Sequence, residues 1–522
     1  MARGAQPVIT LEIGRGGIAA AIIVVLAVVL AFVGLALRAE TGMRLGPAEW
    51  SAIRFTVIQS ALSAVISGLL AIPLARALAR RRFVGRELLI TLLGAPFILP
   101  VIVAVLGLLA IFGRNGWLNG VLATIGLPEI TIYGLHGVVL AHVFFNLPLA
   151  TRLLLQGWQG IPAEHFRLAA QLNLPPLTVF QTLEWPMLRR VLPGATALVF
   201  VICLTSFAVA LTLGGGPRAT TVELAIYQAF RFDFDLGQAA FLSVIQLVLA
   251  GGAALLALWV IPDLPLGAGM GRPVARWDAH FSVQRVLDSL VILLSSAFLI
   301  LPLLAVVLSG VGGLADLPPS VWRATGNSLY VAALSTLLLL LIALPLAAQI
   351  ASRRGGSLEV VGLLGLSASP LMIGTGWFIL LGPIVNPVAI SLPVTAFVNA
   401  LMALPFALRV IVPGFRAAYE TQGRLALALN LRGWTLWRVV LLPNVRVQAG
   451  FAAGLTAALS LGDLGVIALF SDPERATLPL EMYRLLGAYR TEAAAGAALM
   501  LLGLAFGVFW LCDWGGRRHA NA

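Results

Sequence analysis

Residues 167–189 read RLAAQLNLPPLTVFQTLEWPMLR, and residues 424–446 read RLALALNLRGWTLWRVVLLPNVR. Nine of these 23 ungapped positions are identical at an offset of 257, against roughly two or three expected from composition. Arg167-Leu168-Ala169 pairs with Arg424-Leu425-Ala426, and Leu172-Asn173-Leu174 with Leu429-Asn430-Leu431. Thr178, Pro186 and Arg189 pair with Thr435, Pro443 and Arg446. Each copy reads as helix–turn–helix. Residues 163–172 and 421–429 are helix-compatible, and Asn173 and Asn430 suit a left-handed turn residue, since Asn tolerates positive φ. A second short helix follows. Pro186 and Pro443 are expected to start the next long helix, where a missing N–H costs little. Taken singly, each copy is an elbow between helices. Loops ordinarily drift, so two copies that agree best in a loop point to a shared kind of partner.

The repeat extends outward. Pro148 pairs with Pro405 and Arg152 with Arg409 at the same offset, while Ala71-Ile-Pro73-Leu-Ala pairs with Ala343-Leu-Pro345-Leu-Ala at 272. The change of offset places about 15 extra residues in the first copy, near 115–133. Around the loops run apolar stretches of the roughly 20 residues that a bilayer-spanning helix needs. Spans are expected near 17–37, 55–76, 88–112, 134–155, 191–213 and 238–261. The second set lies near 289–311, 328–350, 359–381, 388–411, 448–470 and 494–512. The fold expected is therefore an all-α polytopic membrane protein of twelve transmembrane helices in two six-helix parallel repeats, 1–270 and 271–522. Repeats of even span number share topology, so a pseudo-two-fold axis runs along the membrane normal.

Composition agrees. Of 522 residues, 60% are hydrophobic and 11% charged, with a mean hydropathy of +0.98; a soluble domain carries about 25% charged residues. All 34 basic residues are arginine, giving a net charge of +12. They fall between apolar stretches and form no continuous basic face, so nucleic acid is not an expected partner. With the N-terminus inside, inside segments hold 24 arginines and outside loops 10, which favours cytoplasmic termini. The densest cluster is Arg76, Arg80, Arg81, Arg82 and Arg86. Without lysine, neither a Walker A phosphate loop nor a lysine Schiff base is possible. Cys203 and Cys512 both sit in apolar runs, so neither a disulfide framework nor a CxxC metal site is expected.

The repeated loop resembles the "EAA" coupling loop of binding-protein-dependent ABC importer permeases: EAA, three residues, Gly, nine residues, then I-x-L-P. Anchored on Pro186 and Pro443, the pattern places Arg167-Leu168-Ala169 and Arg424-Leu425-Ala426 at EAA and Asn173 and Asn430 at Gly. Both copies put Arg where the family has Glu, which reverses a charge, and Asn where it has Gly, which keeps the turn. Residues 211–228 (LTLGGGPRATTVELAIYQ), 458–466 (ALSLGDLGV) and 477–480 (TLPL) resemble the fused permeases of thiamine importers; ferric-iron permeases share the fused layout. The resemblance implies a permease of the bacterial inner membrane, with coupling loops near 162–186 and 419–443. It implies two copies of a cytoplasmic ABC ATPase and a periplasmic substrate-binding protein as partners. Such a chain is not an enzyme and holds no cofactor; ATP–Mg belongs to the ATPase. The substrate is thiamine, a thiamine phosphate ester or ferric iron.

Within the spans, Asp463 lies seven residues from the expected outer end of the eleventh, roughly 10 Å deep. An intramembrane acid is a candidate functional group, suited to a cation such as a thiazolium. It equally suits a helix cap or interhelical hydrogen bond beside Gly462 and Gly465. The offset of 257 pairs it with Ser206, and Phe207 is a candidate ring face for a cation. Gly214-Gly215-Gly216-Pro217-Arg218 reads as a turn, a docking contact or an anion nest. His142 and Asn146, four apart, read as an interhelical hydrogen bond before a metal site. Tyr227 and Tyr483 read as membrane-interface anchors. Two rivals remain: a secondary transporter, whose arginine-run loop would need a Gly and an Asp absent here, and a membrane enzyme, for which no catalytic constellation converges.

Overall fold

The structure is a computed structural model that describes residues 15–38, 45–94, 98–216, 219–260, 282–352, 357–367, 369–470 and 472–518. The boundary expected at 270/271 lies outside them. Among the described residues every regular element is helical. The chain opens with α1 (Gly16–Arg38), α2 (Pro47–Arg80), α3 (Arg86–Leu92), α4 (Val101–Phe112), α5 (Trp117–Thr124) and α6 (Leu135–Gln159). The first coupling-type loop holds α7 (Ala163–Gln171) and α8 (Pro176–Val179), followed by α9 (Trp185–Leu204), α10 (Ala208–Leu213), α11 (Val222–Arg231) and α12 (Leu236–Val260). The second half runs α13 (Ser282–Gly313), α14 (Pro319–Ser352), α15 (Ser357–Ser367), α16 (Pro370–Leu381) and α17 (Ser391–Ala428). It ends with α18 (Gly433–Leu436), α19 (Leu442–Leu461), α20 (Gly465–Phe470), α21 (Leu478–Gly487) and α22 (Thr491–Arg517).

Among the described residues eleven helical stretches are long and apolar enough to cross a membrane. The ninth expected span is divided instead into α15 and α16. Ser369 accepts a hydrogen bond from the Met372 N–H at 3.4 Å and Pro370 occupies the first turn, so a new helix begins there. The third is divided likewise, between α3 and α4, ahead of Pro100. The tenth runs longer than 388–411. α17 continues through Pro405 and Pro413 to Ala428, because Tyr419 stands where the first half has Pro162, which separates α6 from α7.

Pro186 and Pro443 stand in the first turns of α9 and α19, as expected, but no gap precedes these helices. A π-helical turn, Phe180–Glu184 or Trp437–Leu441, joins α8 to α9 and α18 to α19 without interruption. The wider turn lets each helix pass a proline that has no N–H to give and whose ring would crowd the preceding turn. The result in both halves is one continuous helical stretch from loop to membrane.

Packing follows the repeat, with one exchange. α2, α6 and α9 form the core of the first half, and α14, α17 and α19 that of the second. The first helix of each half crosses over: α1 packs on α14 and α16, and α13 packs on α2 and α4. A glycine stands at the seventh position of the receiving helix each time. A methyl group on Gly376 of α16 would strike the Ala31 carbonyl of α1, and one on Gly107 of α4 would strike the Pro302 carbonyl of α13. Close backbone approach of this kind is how helices associate where lipid supplies no hydrophobic drive. α13 is further pinned to α2 by Asp288, whose carboxylate accepts from Arg80 at 2.6 Å and Arg81 at 2.7 Å. Part of the arginine cluster that signals orientation in the sequence thus also fastens the exchanged helix.

Gly376→Val should push α1 off α16 and cost about 1–3 kcal/mol through overpacking. Gly120→Ala, at an open position on α5, should cost far less. Denaturation of the two purified variants in detergent micelles measures the difference; equal stability would mean that the α1–α16 crossing carries no packing load.

Candidate coupling and translocation sites

The two repeated loops superpose in detail. α7 ends on Asn173 at φ 47°, and α17 on Asn430 at φ 50°. The Asn173 N–H donates to the Ala170 carbonyl and the Leu174 N–H to the Ala169 carbonyl, both at 3.0 Å. In the second copy Asn430 donates to Leu427 at 3.0 Å and Leu431 to Ala426 at 2.9 Å. Each is a Schellman closure with Asn as its left-handed residue, the conformation expected from the sequence. Ala169 and Ala426 are buried beneath the turn. Arg167 and Arg424 are exposed, and so are Leu168 (54%) and Leu425 (61%), with Leu172, Leu177, Leu429 and Trp434 beside them. Apolar side chains set outward on a short amphipathic helix form a face suited to a groove in another protein.

Beneath the two faces the anchoring differs. In the first loop the fully buried Glu184 accepts from Arg76 of α2 at 2.6 Å, and the same guanidinium lies 5.1 Å over the Phe180 ring. In the second, Leu441 replaces Glu184 and Trp437 replaces Phe180 at the offset of 257, while Ala348 replaces Arg76 at 272. There Trp437 packs edge-on against Phe415, and the Tyr419 hydroxyl donates to the Ala348 carbonyl at 3.1 Å. An ion pair holds one loop and an aromatic cluster the other. The sequence carries the signal as a mismatch between Pro73-Leu-Ala-Arg76 and Pro345-Leu-Ala-Ala348, legible once the repeat is aligned.

The helices that leave the loops are broken farther on at matching places, 205–207 and 462–464. Ser206 N–H donates to the Cys203 carbonyl and Asp463 N–H to the Ser460 carbonyl, both at 3.4 Å. Asp463 caps α20, its Oδ1 accepting from the Gly465 N–H at 3.1 Å; its buried Oδ2 has no partner among the described residues. Phe207 is buried and meets Tyr227 with ring centroids 5.2 Å apart. Tyr227 is thereby a core residue and not a membrane-interface anchor, because α11 folds back into the bundle. The Val222 N–H at its start donates to Thr56 Oγ1 of α2 at 2.9 Å, as the Leu478 N–H of α21 donates to Ser328 Oγ of α14 at 2.7 Å.

His142 and Asn146 enter a buried polar knot. Asn146 donates to the His142 carbonyl at 2.8 Å and approaches Cys203 Sγ at 3.4 Å, and His142 Nδ1 lies 3.4 Å from Ser63 Oγ. Asn399, the residue matching His142, donates to Ser460 Oγ at 3.0 Å, and Ser460 matches Cys203. Asn146 therefore bonds to His142 within α6, while its contact with Cys203, that of His142 with Ser63 and that of Asn399 with Ser460 cross between helices. Among the described residues no group of three or more His, Cys, Asp or Glu side chains could hold a metal ion. Gly215 and Gly216 adopt φ 73° and 131°; Pro217 and Arg218 lie outside the described residues. Several buried acids escaped the sequence reading, and one of them has no arginine partner among the described residues. Glu223, in the first turn of α11, is fully buried, and burial pushes its carboxyl up to about 8. Its only sequence signal is an acid beside apolar neighbours in 222–227, which reads equally as an ordinary first-turn acid.

No family model matches the chain. It is 39% identical over 526 residues to the thiamine transport system permease protein ThiP of Salmonella typhimurium, covering 97% of both chains. The protein of the same name from Escherichia coli is 40% identical over 481 residues, covering 89% of this chain and 88% of its own. That from Haemophilus influenzae is 35% identical over 511 residues, covering 93% and 94%.

Glu184→Leu strands the Arg76 charge against a buried face and should destabilise the chain by about 3–5 kcal/mol. Adding Arg76→Ala reproduces the pair found in the second half and should recover most of the loss. Denaturation midpoints of wild type, single and double variants read the effect; a double variant as unstable as the single one would exclude the ion pair as the anchor.

Proposed function

The chain belongs to the thiamine transport permease family of ABC importers, and from that premise we propose that it forms the path by which thiamine or its phosphate esters cross the bacterial inner membrane, both of its termini lying in the cytoplasm. In this reading two copies of a separate ATPase hold ATP–Mg, and a periplasmic binding protein delivers the substrate. The chain itself catalyses nothing and needs no cofactor. One chain carries both coupling loops, so it does the work of two permease subunits, 1–270 and 271–522.

The observation that carries the mechanism is the continuity between each loop and a broken span. Pro176–Leu204 is one stretch of 29 residues, about 43 Å at the helical rise. It runs from the loop bearing Arg167, Leu168, Ala169 and Asn173 to the break that holds Ser206 and Phe207. The stretch beginning at Gly433 runs likewise from the loop of Arg424, Leu425, Ala426 and Asn430 to Asp463. A stiff helix moves as a lever. When the ATPase subunits close on ATP, two docked loops approach one another, and the far ends of the levers part or meet at the breaks. Pro186 and Pro443, each seated behind a π turn, leave the lever continuous. The Asp463 carboxylate then stands where a cationic ring passes, and the exchanged helices α1 and α13 keep the halves together as they rock.

Leu168→Asp with Leu425→Asp puts two charges on the docking faces. Thiamine uptake by proteoliposomes holding the complete importer should fall at least about tenfold, the equivalent of 1.4 kcal/mol of lost coupling, while the chain still inserts. Unchanged uptake would remove these loops from the ATPase interface. In cells, gene-dependent uptake of labelled thiamine should stop when ATP is depleted with the proton gradient maintained. Uptake sustained by the gradient alone would overturn ATP-driven import.

A further inference from the structure

Glu223 lies on the seam between the halves. α11 follows from the first half, yet it packs on α16 and α20 of the second as well as on α2 and α12. The carboxylate is 0% exposed. Among the described residues neither oxygen has a partner of good hydrogen-bond geometry and no arginine pairs with it; the side chains that approach it are Ser369, the cap of α16, and Gln246 of α12. At the same helix start Pro370 and Leu371 pack against Gly465, whose N–H donates to Asp463. The N-terminus of α16 thus stands between two acids, one from each half. Rings surround the seam: Phe230 meets Phe378 at 4.6 Å, Phe378 meets Phe470 at 5.6 Å, and Tyr227 meets Phe207 at 5.2 Å. Glu223, Tyr227 and Phe230 fall at i, i+4 and i+7, on one face of α11.

Resting on the reading of this chain as a thiamine permease, we propose that Glu223 is the specificity-determining carboxylate of the path, receiving the substrate's cationic thiazolium between itself and Asp463 against the aromatic faces of the seam. A purely structural role does not account for its position. Helix-dipole contacts of a first-turn acid contribute about 0.3–1 kcal/mol and are available at the surface. The ionised form of Glu223 would cost several kcal/mol uncompensated, so without a cation the buried group rests protonated. A flat organic cation offsets that cost twice, through its charge and through the ring faces. The seam is closed over Glu223 in this structure, so loading requires α11 and α16 to separate, the movement that rocking of the halves supplies. The sequence of events is then delivery, entry of the cation between the two acids, closure, and release on the arginine-rich face.

The test uses proteoliposomes holding the permease, the ATPase and the binding protein. Two ligands are delivered, each as a preloaded binding-protein complex: thiamine, and an isostere whose thiazolium is replaced by a neutral thiophene. Glu223→Gln should lower thiamine uptake about tenfold, leave isostere uptake and binding-protein-stimulated ATP hydrolysis within about twofold of wild type, and so collapse the preference for the cation. Glu223→Asp, which keeps the charge, should retain most of that preference. An unchanged thiamine-to-isostere ratio in Glu223→Gln would overturn the proposal. So would equal loss of both uptakes together with the stimulated ATP hydrolysis, the mark of a structural residue. A wild-type complex that moves no thiamine would sink the functional reading itself, a result separable from either of these because it appears before any substitution is made.

Discussion

In hydrocarbon an unpaired backbone N–H or C=O costs several kcal/mol, so a span is interrupted only where protein covers the break. Among the described residues four apolar runs are interrupted, past Leu92, at 205–207, at Ser369 and at 462–464, and much of the architecture follows from covering these breaks. The exchanged helices α1 and α13 lie against α16 and α4, the helices that begin after two of the breaks. Side chains help close two of the breaks: Asp463 accepts from the N–H of Gly465, and Ser369 from that of Met372. Each break is therefore an expensive feature kept in the protein interior. Intramembrane polar groups and irregular backbone are retained where a path must pass.

The same constraint bears on the proposed transmission of motion from the loops to the middle of the membrane. A lever transmits displacement only if it does not bend along its length. Pro186 and Pro443 would ordinarily kink a helix, and a kink would dissipate the movement. The π turns remove that weakness by widening the ladder before the proline. Both halves use this device at positions related by the repeat offset, with identical lengths before and after it.

The halves are not equivalent in how they are held. The first loop rests on a charge pair whose burial demands both partners, and the second on a cluster of rings that demands only shape. Asp288, gripped by Arg80 and Arg81, adds a second ionic tie to the first half; in the second, Ser352 stands at the place of Arg80, and an exposed ion pair joins Arg416 to Glu359. Pseudo-symmetry is thus kept in backbone geometry and in the outward faces of the loops, where two copies of one partner would require it. It is relaxed underneath, where each half packs against its own surroundings.

Much of this was legible in the residues. Apolar length and the scarcity of charge decide for a helical membrane protein, because hydrocarbon admits little else. Local rules also placed the turns at Asn173 and Asn430, since a left-handed residue after a helix is chosen by the backbone within six residues. The span count came from the lengths of the apolar runs, and the pairing of Ser206 with Asp463 from the repeat, which is a property of the chain. What the sequence left open depends on neighbours far along it. The π turns, the division of the ninth span and the run of α17 to Ala428 are compromises between local proline chemistry and tertiary packing. The crossing of α1 onto α16 joins residues more than 300 positions apart, and no periodicity records it. Glu223 is the clearest case: in the sequence it is an ordinary acid in a helix's first turn, and only the closing of two halves around it makes it a buried acid.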